Sequence, residues 1–255
     1  MPCQNCDITL VLPAYNEVRT IGTTLVELTG YLRRRGWRYQ IIVSADGTDG
    51  TRERAREFAY ADPAVEVIGS ADRRGKGKGI REAVRIAAGN IVGFVDADNK
   101  VPIDEFDKLE PWLYKGYEIV IGSRGLARSK VEREQPWYRR VGSKGFYYFM
   151  HAVVGMPGIE DTQCGFKFFH RVIAQDLFSR QKIDGYMFDV EILALAQRLA
   201  YRIKEVPIRW RDDADSRLQL FSGNLQNAID IFKIRYYCAK QTEVFAAERA
   251  KANHV

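Results

Sequence analysis

The 255-residue sequence contains few of the side chains that bind structural metals or build disulfide frameworks. It has four cysteines and three histidines. Cys3 and Cys6 form a lone CxxC pair, and a structural zinc site would need two further ligands that the nearby sequence does not supply. The histidines show no metal-ligand spacing, and no Ser-His-Asp arrangement is evident. We therefore expect a reduced or adventitious cysteine pair and no hydrolase triad.

Long apolar runs are also absent. No segment approaches the roughly 20 apolar residues that a helix needs to cross a bilayer, and no signal peptide opens the chain. The sequence shows no internal repeat and no low-complexity linker. These absences predict a protein that is soluble or that lies on a membrane without crossing it.

The residues that are present suit one globular domain. Hydrophobic residues make up 46% of the chain and charged residues 28%, which is enough for a full core. We predict a single α/β domain over residues 1–240 and a short tail over residues 241–255. The net charge of +6 suits nucleotide phosphates, anionic lipid head groups or nucleic acid. That excess is too small to decide among the three.

Strand and helix patterns alternate along the first half of the chain. Strand patterns occupy residues 7–12, 40–43, 65–68, 91–95 and 117–121, and helical spacing occupies residues 20–35, 51–60 and 79–88. Alternation with short connections predicts a mostly parallel sheet with helices on both faces. Ligands of such sheets bind beyond the carboxyl ends of the strands. The candidate site residues follow those ends.

The second half shows a different pattern. Residues 123–136 are polar and basic without periodicity, so they predict a mobile loop. Helices are predicted over residues 138–154, 190–199 and 225–237, and strands over residues 163–169 and 203–208. From residue 246 onward the chain is small and polar, and we expect it to fray.

Two carboxylates directly follow the apolar strand at residues 91–95. Asp96 and Asp98 supply hard oxygen ligands that suit Mg²⁺ or Mn²⁺, and such a cation could bridge to a diphosphate. Aspartate is also common in solvated turns. The prediction of a metal site therefore depends on the position of both residues directly after a buried strand.

A glycine-rich turn with the sequence GKGKG precedes the predicted helix at residues 79–88. Exposed backbone N–H groups at such a turn favour anions, and Lys76 and Lys78 add positive charge. The spacing is not that of a P-loop. It leaves a phosphate site and a flexible basic turn equally open.

A basic stretch follows the strand at residues 117–121. Its members are Arg124, Arg128, Lys130, Arg133, Arg139 and Arg140. They could hold donor or acceptor phosphates, although a charge run is commonly a solvated face.

The helix predicted at residues 138–154 combines aromatic and basic side chains. Its apolar residues recur at about helical spacing: Phe146, Phe149, Met150 and Val153. Its basic residues lie in the first half: Arg139, Arg140 and Lys144. This combination is typical of a helix in a membrane interface, and a core helix is the alternative.

Together these motifs resemble family 2 glycosyltransferases of the GT-A fold, most closely the dolichyl-phosphate β-glucosyltransferase and dolichyl-phosphate mannose synthase group. The resemblance spans about residues 10–240. It is carried by LPAYNE at 12–17, DGTDGT at 46–51, GKGKG at 75–79, DAD at 96–98 and IGSR at 121–124. The most specific segments are DTQCGFK at 161–167 and FDVE at 188–191. The last segment and the GKGKG turn favour the glucosyltransferase branch.

The resemblance implies an activity and its partners. It implies an inverting, metal-dependent transfer of a hexose from a nucleotide-sugar donor to a polyprenyl phosphate. UDP-glucose is the favoured donor and GDP-mannose the next. Mg²⁺ or Mn²⁺ would be the cofactor, nucleic acid would not be a partner, and the protein would lie on the cytoplasmic face of a membrane.

The resemblance also implies roles for individual residues. The base and ribose would be lined by Pro13, Tyr15, Glu17 and Asp46. The metal and diphosphate would be approached by Asp96, Ala97 and Asp98. The acceptor phosphate or leaving diphosphate would be held by Arg124 and by Arg139 or Arg140. Asp161 would lie near the reacting centre, and Ser216 and Arg217 would close over the donor phosphates.

The chain departs from the family pattern at two positions. Ala45 stands where the family usually has the first of two successive aspartates, and Lys100 stands where many mannose synthases have a glutamine ligand.

Three alternative functions are considered. A sugar-nucleotide pyrophosphorylase would carry its glycine-rich turn near the first strand. A processive synthase would need spanning helices and a glutamine before Arg209 and Trp210. A non-catalytic or differently specific nucleotide-sugar binder, or a transferase with a non-lipid acceptor, is the third.

Overall fold

The computed structural model describes residues 6–131, 137–211 and 224–252. Within these ranges the strands of the central sheet are β1 (Ile8–Tyr15), β2 (Tyr39–Asp46), β3 (Val65–Ile68), β4 (Ile91–Val95), β5 (Ile119–Ser123), β7 (Phe166–His170) and β8 (Ile203–Pro207). Their order is β3-β2-β1-β4-β7-β5-β8. β7 is antiparallel to both neighbours, and the other neighbouring strands are parallel. The predicted mostly parallel α/β sheet is therefore confirmed.

Helices cover both faces of this sheet. They are α1 (Ile21–Arg34), α2 (Thr51–Ala61), α3 (Lys76–Ile86), α4 (Phe106–Tyr114), α5 (Trp137–Val154), α6 (Arg171–Arg180), α7 (Phe188–Arg198) and α8 (Asn224–Ala252). A short parallel pair joins β6 (Lys130–Val131) to β9 (Arg209–Trp210), so part of the predicted loop at 123–136 is a strand. Residues 132–136 of that loop lie outside the described residues.

The sequence patterns did not predict α4, α6 or the β6–β9 pair. Pro111 lies inside α4, where proline normally ends a helix. Buried Phe106, Leu109 and Leu113 nevertheless hold α4 against the sheet. β7 ends at His170 and α6 begins at the next residue, so no polar turn separates the two elements.

The core has one layer on each face of the sheet. Because successive strand side chains point to opposite faces, Ile41 and Ile42 of β2 lie in different layers. The layer under α3, α6 and α7 contains a group of aromatic rings: Phe94, Phe169, Phe178 and Phe188. The layer under α1, α2 and α4 covers the alternate side chains. Every residue of β2 is buried, as expected for a strand covered on both faces.

The apolar residues of α5 point in two directions, which corrects the prediction of a single membrane-facing side. Met150 is 2% exposed, and Val153 packs against the core. Phe149 is 37% exposed and Tyr148 is 67% exposed. The reason is that α5 packs on α8 and on the sheet layer beneath it. The side chain of Phe146 lies outside the described residues.

Three further expectations concern the ends of the chain and the membrane. α8 continues to Ala252, so the expectation that the chain frays from residue 246 is wrong for residues 246–252. The domain boundary at residue 240 stays a prediction. Cys6 is buried and disulfide-bonded, which contradicts the expected reduced pair, and its partner lies outside the described residues. None of the helices in the described part of the chain combines the length and apolarity that crossing a bilayer requires.

Candidate active site at the carboxyl edge of the sheet

Asp96 follows β4 directly and lies at the centre of the site. Its backbone N–H donates to the carbonyl of Gly165, with a distance of 3.0 Å between nitrogen and oxygen. Its carboxylate packs so closely on Gly165 that a Cβ there would lie 2.0 Å from Asp96 Oδ2. A glycine is therefore required at position 165 in the segment DTQCGFK.

Lys76 reaches from the first turn of α3 to this carboxylate. Its Nζ lies 2.6 Å from Asp96 Oδ1. Burial alone would lower the pKa of Lys76, but the charges of Asp96 and Asp189 outweigh burial and raise it. The ammonium is therefore a fixed positive charge beside the first carboxylate of the DAD segment.

Asp98 lies close to the same group. Lys100 Nζ is 3.5 Å from Asp98 Oδ2, and the Lys100 N–H donates to Asp98 Oδ1 at 3.3 Å. Burial, followed by the charge of Asp96, raises the pKa of Asp98. Ala97, between the two, is 1% exposed, and its carbonyl accepts from Thr24. Only the two aspartates of the segment therefore present side chains to the edge.

The two aspartates fit a hard divalent cation as a partial ligand set. Their carboxylate oxygens are the donors that Mg²⁺ and Mn²⁺ prefer, and their mutual repulsion would be relieved by a cation. Among the described residues no group of three or more His, Cys, Asp or Glu side chains could hold a metal. A cation here would therefore take its remaining ligands from water or from the oxygen atoms of a bound diphosphate.

A buried ion pair lies beneath Asp96, and sequence reasoning missed it. Lys167 and Asp189 have side chains 1% and 4% exposed, and Lys167 Nζ is 2.7 Å from Asp189 Oδ1. The same Nζ donates to the carbonyl of Cys164 at 2.5 Å. Burial raises the pKa of Asp189 despite the neighbouring Lys167. The signal was available, since both residues belong to the most specific motif segments.

Arg124 and Asp161 form the second charged pair at this edge. Arg124 Nε donates to Asp161 Oδ2 at 2.7 Å, and a terminal guanidinium nitrogen donates to Oδ1 at 2.9 Å. The Arg124 N–H also donates to Asp161 Oδ2. Burial would raise the pKa of Asp161, but the charge and hydrogen bonds of Arg124 outweigh it and lower the pKa. Asp161 is therefore an ionised carboxylate that fixes the direction of Arg124.

Trp210 of β9 lies against the basic side of the site. Its ring centroid is 5.6 Å from the Arg124 guanidinium carbon and 5.7 Å from Lys100 Nζ. The ring is 8% exposed. It links the Asp161 pair to the Asp98 pair through cation–π contacts. No motif of the sequence pointed to this role.

Asp46 ends β2 and is also engaged. Its carboxylate accepts from the N–H groups of Ser70 and Arg74 at 3.1 and 2.8 Å, and the Arg74 guanidinium lies 3.3 Å away. Asp46 therefore supports the chain segment after β3. Ala45 is fully buried in the core, so the residue that departs from the family pattern is not exposed at the edge.

The predicted base-and-ribose residues lie at the end of β1. Tyr15 is 40% exposed, and the Arg73 guanidinium carbon lies 4.5 Å from its ring centroid. Glu17 accepts from the Thr20 hydroxyl at 2.9 Å, and Pro13 pairs with Ser44 of β2. The carboxyl ends of β1, β2 and β4 are adjacent, so the structure brings these residues to the same edge as the aspartates.

The GKGKG segment is not a turn ahead of the helix as predicted: α3 begins at Lys76, so residues 76–79 form its first turn. This segment has a packing role beside any role in anion binding. A Cβ at Gly77 would lie 2.6 Å from the Ile183 carbonyl oxygen, and one at Gly79 would lie 2.4 Å from Ser44 Oγ. Gly75 has φ +103° and approaches Asp184. Lys78 is partly exposed. The glycines therefore allow α3 to pack closely on β2 and on the segment before α7. Neither the phosphate-site hypothesis nor the flexible-turn hypothesis predicted this packing.

Several predicted residues are not placed by the structure. Arg139 and Arg140 lie in the first turn of α5, and their side chains lie outside the described residues. Ser216 and Arg217 lie outside them altogether. Arg128 is exposed beyond β5.

A mostly parallel sheet with paired carboxylates at the edge of its central strands is the arrangement of GT-A nucleotide-sugar transferases. The chain belongs to glycosyl transferase family 2, whose family model matches residues 9–178. The family predicted from the motifs is therefore confirmed.

Curated relatives match over most of the chain. A dolichyl-phosphate beta-glucosyltransferase of Trichomonas vaginalis is 34% identical over 90% of this chain and 71% of its own. Those of Dictyostelium discoideum and Homo sapiens are 32% and 31% identical, over 92% and 89% of this chain and 76% and 74% of their own.

Solved structures share the fold. Glucosyl-3-phosphoglycerate synthase from Mycobacterium tuberculosis, in complex with Mn²⁺, uridine-diphosphate and phosphoglyceric acid, matches with a TM-score of 0.68 and 21% identity, over 91% of this chain and 78% of that one. Mannosyl-3-phosphoglycerate synthase from Rubrobacter xylanophilus matches with a TM-score of 0.64 and 16% identity, over 97% and 75%. These matches establish the GT-A fold of this chain.

Proposed function

We propose that this protein transfers glucose from UDP-glucose to a polyprenyl phosphate of the dolichyl type, with inversion at the anomeric carbon. The observation that carries the proposal is the agreement between the site and the relatives. The site joins Asp96, Asp98 and the Arg124–Asp161 pair at one sheet edge. The three curated relatives named above are dolichyl-phosphate beta-glucosyltransferases. Since these relatives are glucosyltransferases, GDP-mannose has no support as the donor.

The reaction requires that the acceptor phosphate be positioned and that the leaving group be stabilised. The acceptor phosphate is already an anion, so it needs little or no general-base help, and the protein must align it with the anomeric carbon. Attack from the opposite face would convert an α-linked donor into a β-linked product. Asp161 would hold Arg124 in the orientation that binds a phosphate. The planar guanidinium of Arg124 suits phosphate binding.

The leaving nucleotide diphosphate carries the charge that must be stabilised. Asp96 and Asp98 would hold Mg²⁺ or Mn²⁺, which when bound supplies the Lewis-acid neutralisation of the diphosphate. Lys76 would add a fixed positive charge beside Asp96. Tyr15 and Asp46 end the neighbouring strands β1 and β2, and Glu17 follows β1. The base and ribose would bind there.

A donor and acceptor screen tests the proposal. Purified protein is incubated with Mn²⁺ and either UDP-glucose or GDP-mannose, each with a polyprenyl phosphate, and the products are read by mass. We expect a hexosyl polyprenyl phosphate from UDP-glucose alone. A phosphorylated water-soluble acceptor forms the parallel arm. Transfer to that acceptor instead would assign a non-lipid substrate, and donor binding without hydrolysis or transfer would assign a non-catalytic binder.

The acceptor class also sets where the protein works. A polyprenyl phosphate is embedded in a bilayer, and a nucleotide sugar is dissolved in water. We propose that the protein meets both at the cytoplasmic face of a membrane as a peripheral protein. Fractionation of cells that express the chain checks this, and recovery of all of the protein in the supernatant at physiological salt would contradict it.

A further inference from the structure

Helix α8 carries an exposed apolar stripe. Its members are Leu225, Ile229, Phe232 and Tyr236, which are 76%, 41%, 56% and 63% exposed. Their spacing of four, three and four residues places them on one side of the helix. On the opposite side, Ile231, Ile234 and Cys238 are fully buried. Packing within the chain therefore accounts for the apolar residues of that side but not for those of the stripe.

The stripe continues onto α5. The rings of Phe149 and Phe232 meet edge to face, with centroids 5.9 Å apart. Tyr148 lies beside Phe149 and is 67% exposed. Two helices therefore share one exposed surface of aromatic and aliphatic side chains.

Positive charges border the stripe on both sides. By helical geometry Lys233 and Lys240 lie along one side of it and Arg235 along the other. All three are exposed. Among the side chains described for α8, the one acidic group, Asp230, is 6% exposed and paired with Lys233. The surface therefore presents apolar and basic groups together.

We propose that the stripe of α8, with Phe149 of α5, is the surface on which this protein lies against an anionic lipid bilayer. The inference rests on the proposed function for the presence of a lipid acceptor. Apolar groups would enter the head-group region while the flanking cations face lipid phosphates. A second copy of the chain fits less well, because a two-fold contact through the stripe would bring the basic borders together.

The position of the stripe suits this role. The first half of α8 lies beside the turn before α7, where a Cβ at Gly185 would be 3.7 Å from Asp230 Oδ2. In the same turn the carbonyl of Asp184 accepts a hydrogen bond from the backbone N–H of Lys78, in the first turn of α3, at 3.2 Å. One end of the stripe is therefore connected to the segment that carries Lys76.

Cosedimentation with vesicles tests the surface. Vesicles of phosphatidylcholine with phosphatidylglycerol and without polyprenyl phosphate are mixed with wild-type protein and with the double variant Ile229→Ser/Phe232→Ser. We expect the partition coefficient of the variant to fall by about tenfold or more, because two apolar contacts are lost. High salt should weaken the binding of the wild type without abolishing it, since the apolar part does not depend on salt.

Controls separate this surface from general stickiness and from misfolding. The double variant Tyr60→Ser/Val172→Ser removes side chains that are 91% and 71% exposed on α2 and α6, and it should bind vesicles like the wild type. A second stripe variant, Leu225→Ser/Tyr236→Ser, changes the two most exposed positions and should repeat the loss. Circular dichroism verifies that each variant is folded.

The outcomes are distinct. Wild-type binding by both folded stripe variants would overturn the proposal. Self-association of the wild type that the stripe variants abolish would assign the stripe to contacts between copies instead. Transfer to polyprenyl phosphate in detergent micelles is measured separately. Loss of vesicle binding with no transfer in micelles by any of the proteins would leave the surface in place and reject the proposed activity.

Discussion

At the residue scale, the first test of the site is to remove one of the carboxylates of Asp96 and Asp98. Asp98→Ala removes one of the two carboxylates that would hold the cation, so turnover should fall by at least about two to three orders of magnitude with Mg²⁺ or Mn²⁺ present. The melting temperature should change little, because the side chain is one-third exposed. Asp72→Ala, on an exposed loop, is the control. Full activity of the Asp98 variant in EDTA would remove the metal role.

Lys76 gives a prediction in which two affinities move in opposite directions. In Lys76→Met the positive charge beside Asp96 is lost. We expect UDP to bind about tenfold more weakly and Mn²⁺ to bind nucleotide-free protein more tightly, because like charges no longer repel. Titration calorimetry measures both. Lys78→Met should leave the Mn²⁺ affinity near its wild-type value, and an unchanged Mn²⁺ affinity in Lys76→Met would contradict the prediction.

Asp161 links the site to pH. Because its pKa is lowered in the folded protein, its carboxylate stabilises the fold above the unfolded pKa of roughly 4. That stability is lost as the pH falls through the folded pKa. The difference in unfolding free energy between wild type and Asp161→Asn should therefore shrink as the pH is lowered from 7 toward 3. Urea unfolding across this range measures it, and a constant difference would contradict the assignment.

At the scale of elements, the Lys167–Asp189 pair joins β7 to α7. Lys167→Met leaves a buried carboxylate without its partner and should cost about 3–5 kcal/mol of stability. The double variant Lys167→Met/Asp189→Leu should recover a large part of that loss, since neither charge of the pair then remains buried. Urea unfolding gives the comparison.

The pair of Arg33 and Asp62, in which the arginine is 61% exposed and the aspartate 14%, provides the control for this experiment. Arg33→Met should cost no more than about 1 kcal/mol, because Arg33 is largely in solvent. If Lys167→Met costs as little as Arg33→Met, the buried pair does not hold β7 and α7 together.

The elements also show how far sequence patterns reach. Strands such as β3 and β4 were predicted with the bounds that the structure has, because apolar runs between turn residues are local signals. α6 was missed because it begins directly after β7. In α5 the helical spacing was predicted correctly. Which side of it faces the core depends on α8, which begins only at Asn224, far along the chain from the end of α5 at Val154.

At the scale of the whole molecule, ligand binding should appear as stability. The site is built from segments between β1 and β9, so a nucleotide that binds there stabilises the folded chain as a unit. UDP with Mn²⁺ at about 100 times its dissociation constant should add about 2.7 kcal/mol, which corresponds to a rise of several degrees in melting temperature. EDTA should remove most of the effect. An equal rise with EDTA present would mean that the nucleotide binds without the cation.

The sequence by itself determined the family, the mostly parallel sheet and the edge at which the site lies. These follow from motifs and periodicities within short stretches of chain, where the physical causes are local. The tertiary structure alone decided which groups pair: Lys76 with Asp96, Arg124 with Asp161, and Lys167 with Asp189. It also decided which side of each helix is exposed. Pairing and exposure depend on segments that are distant in the chain and meet only after folding, so no local pattern contains them.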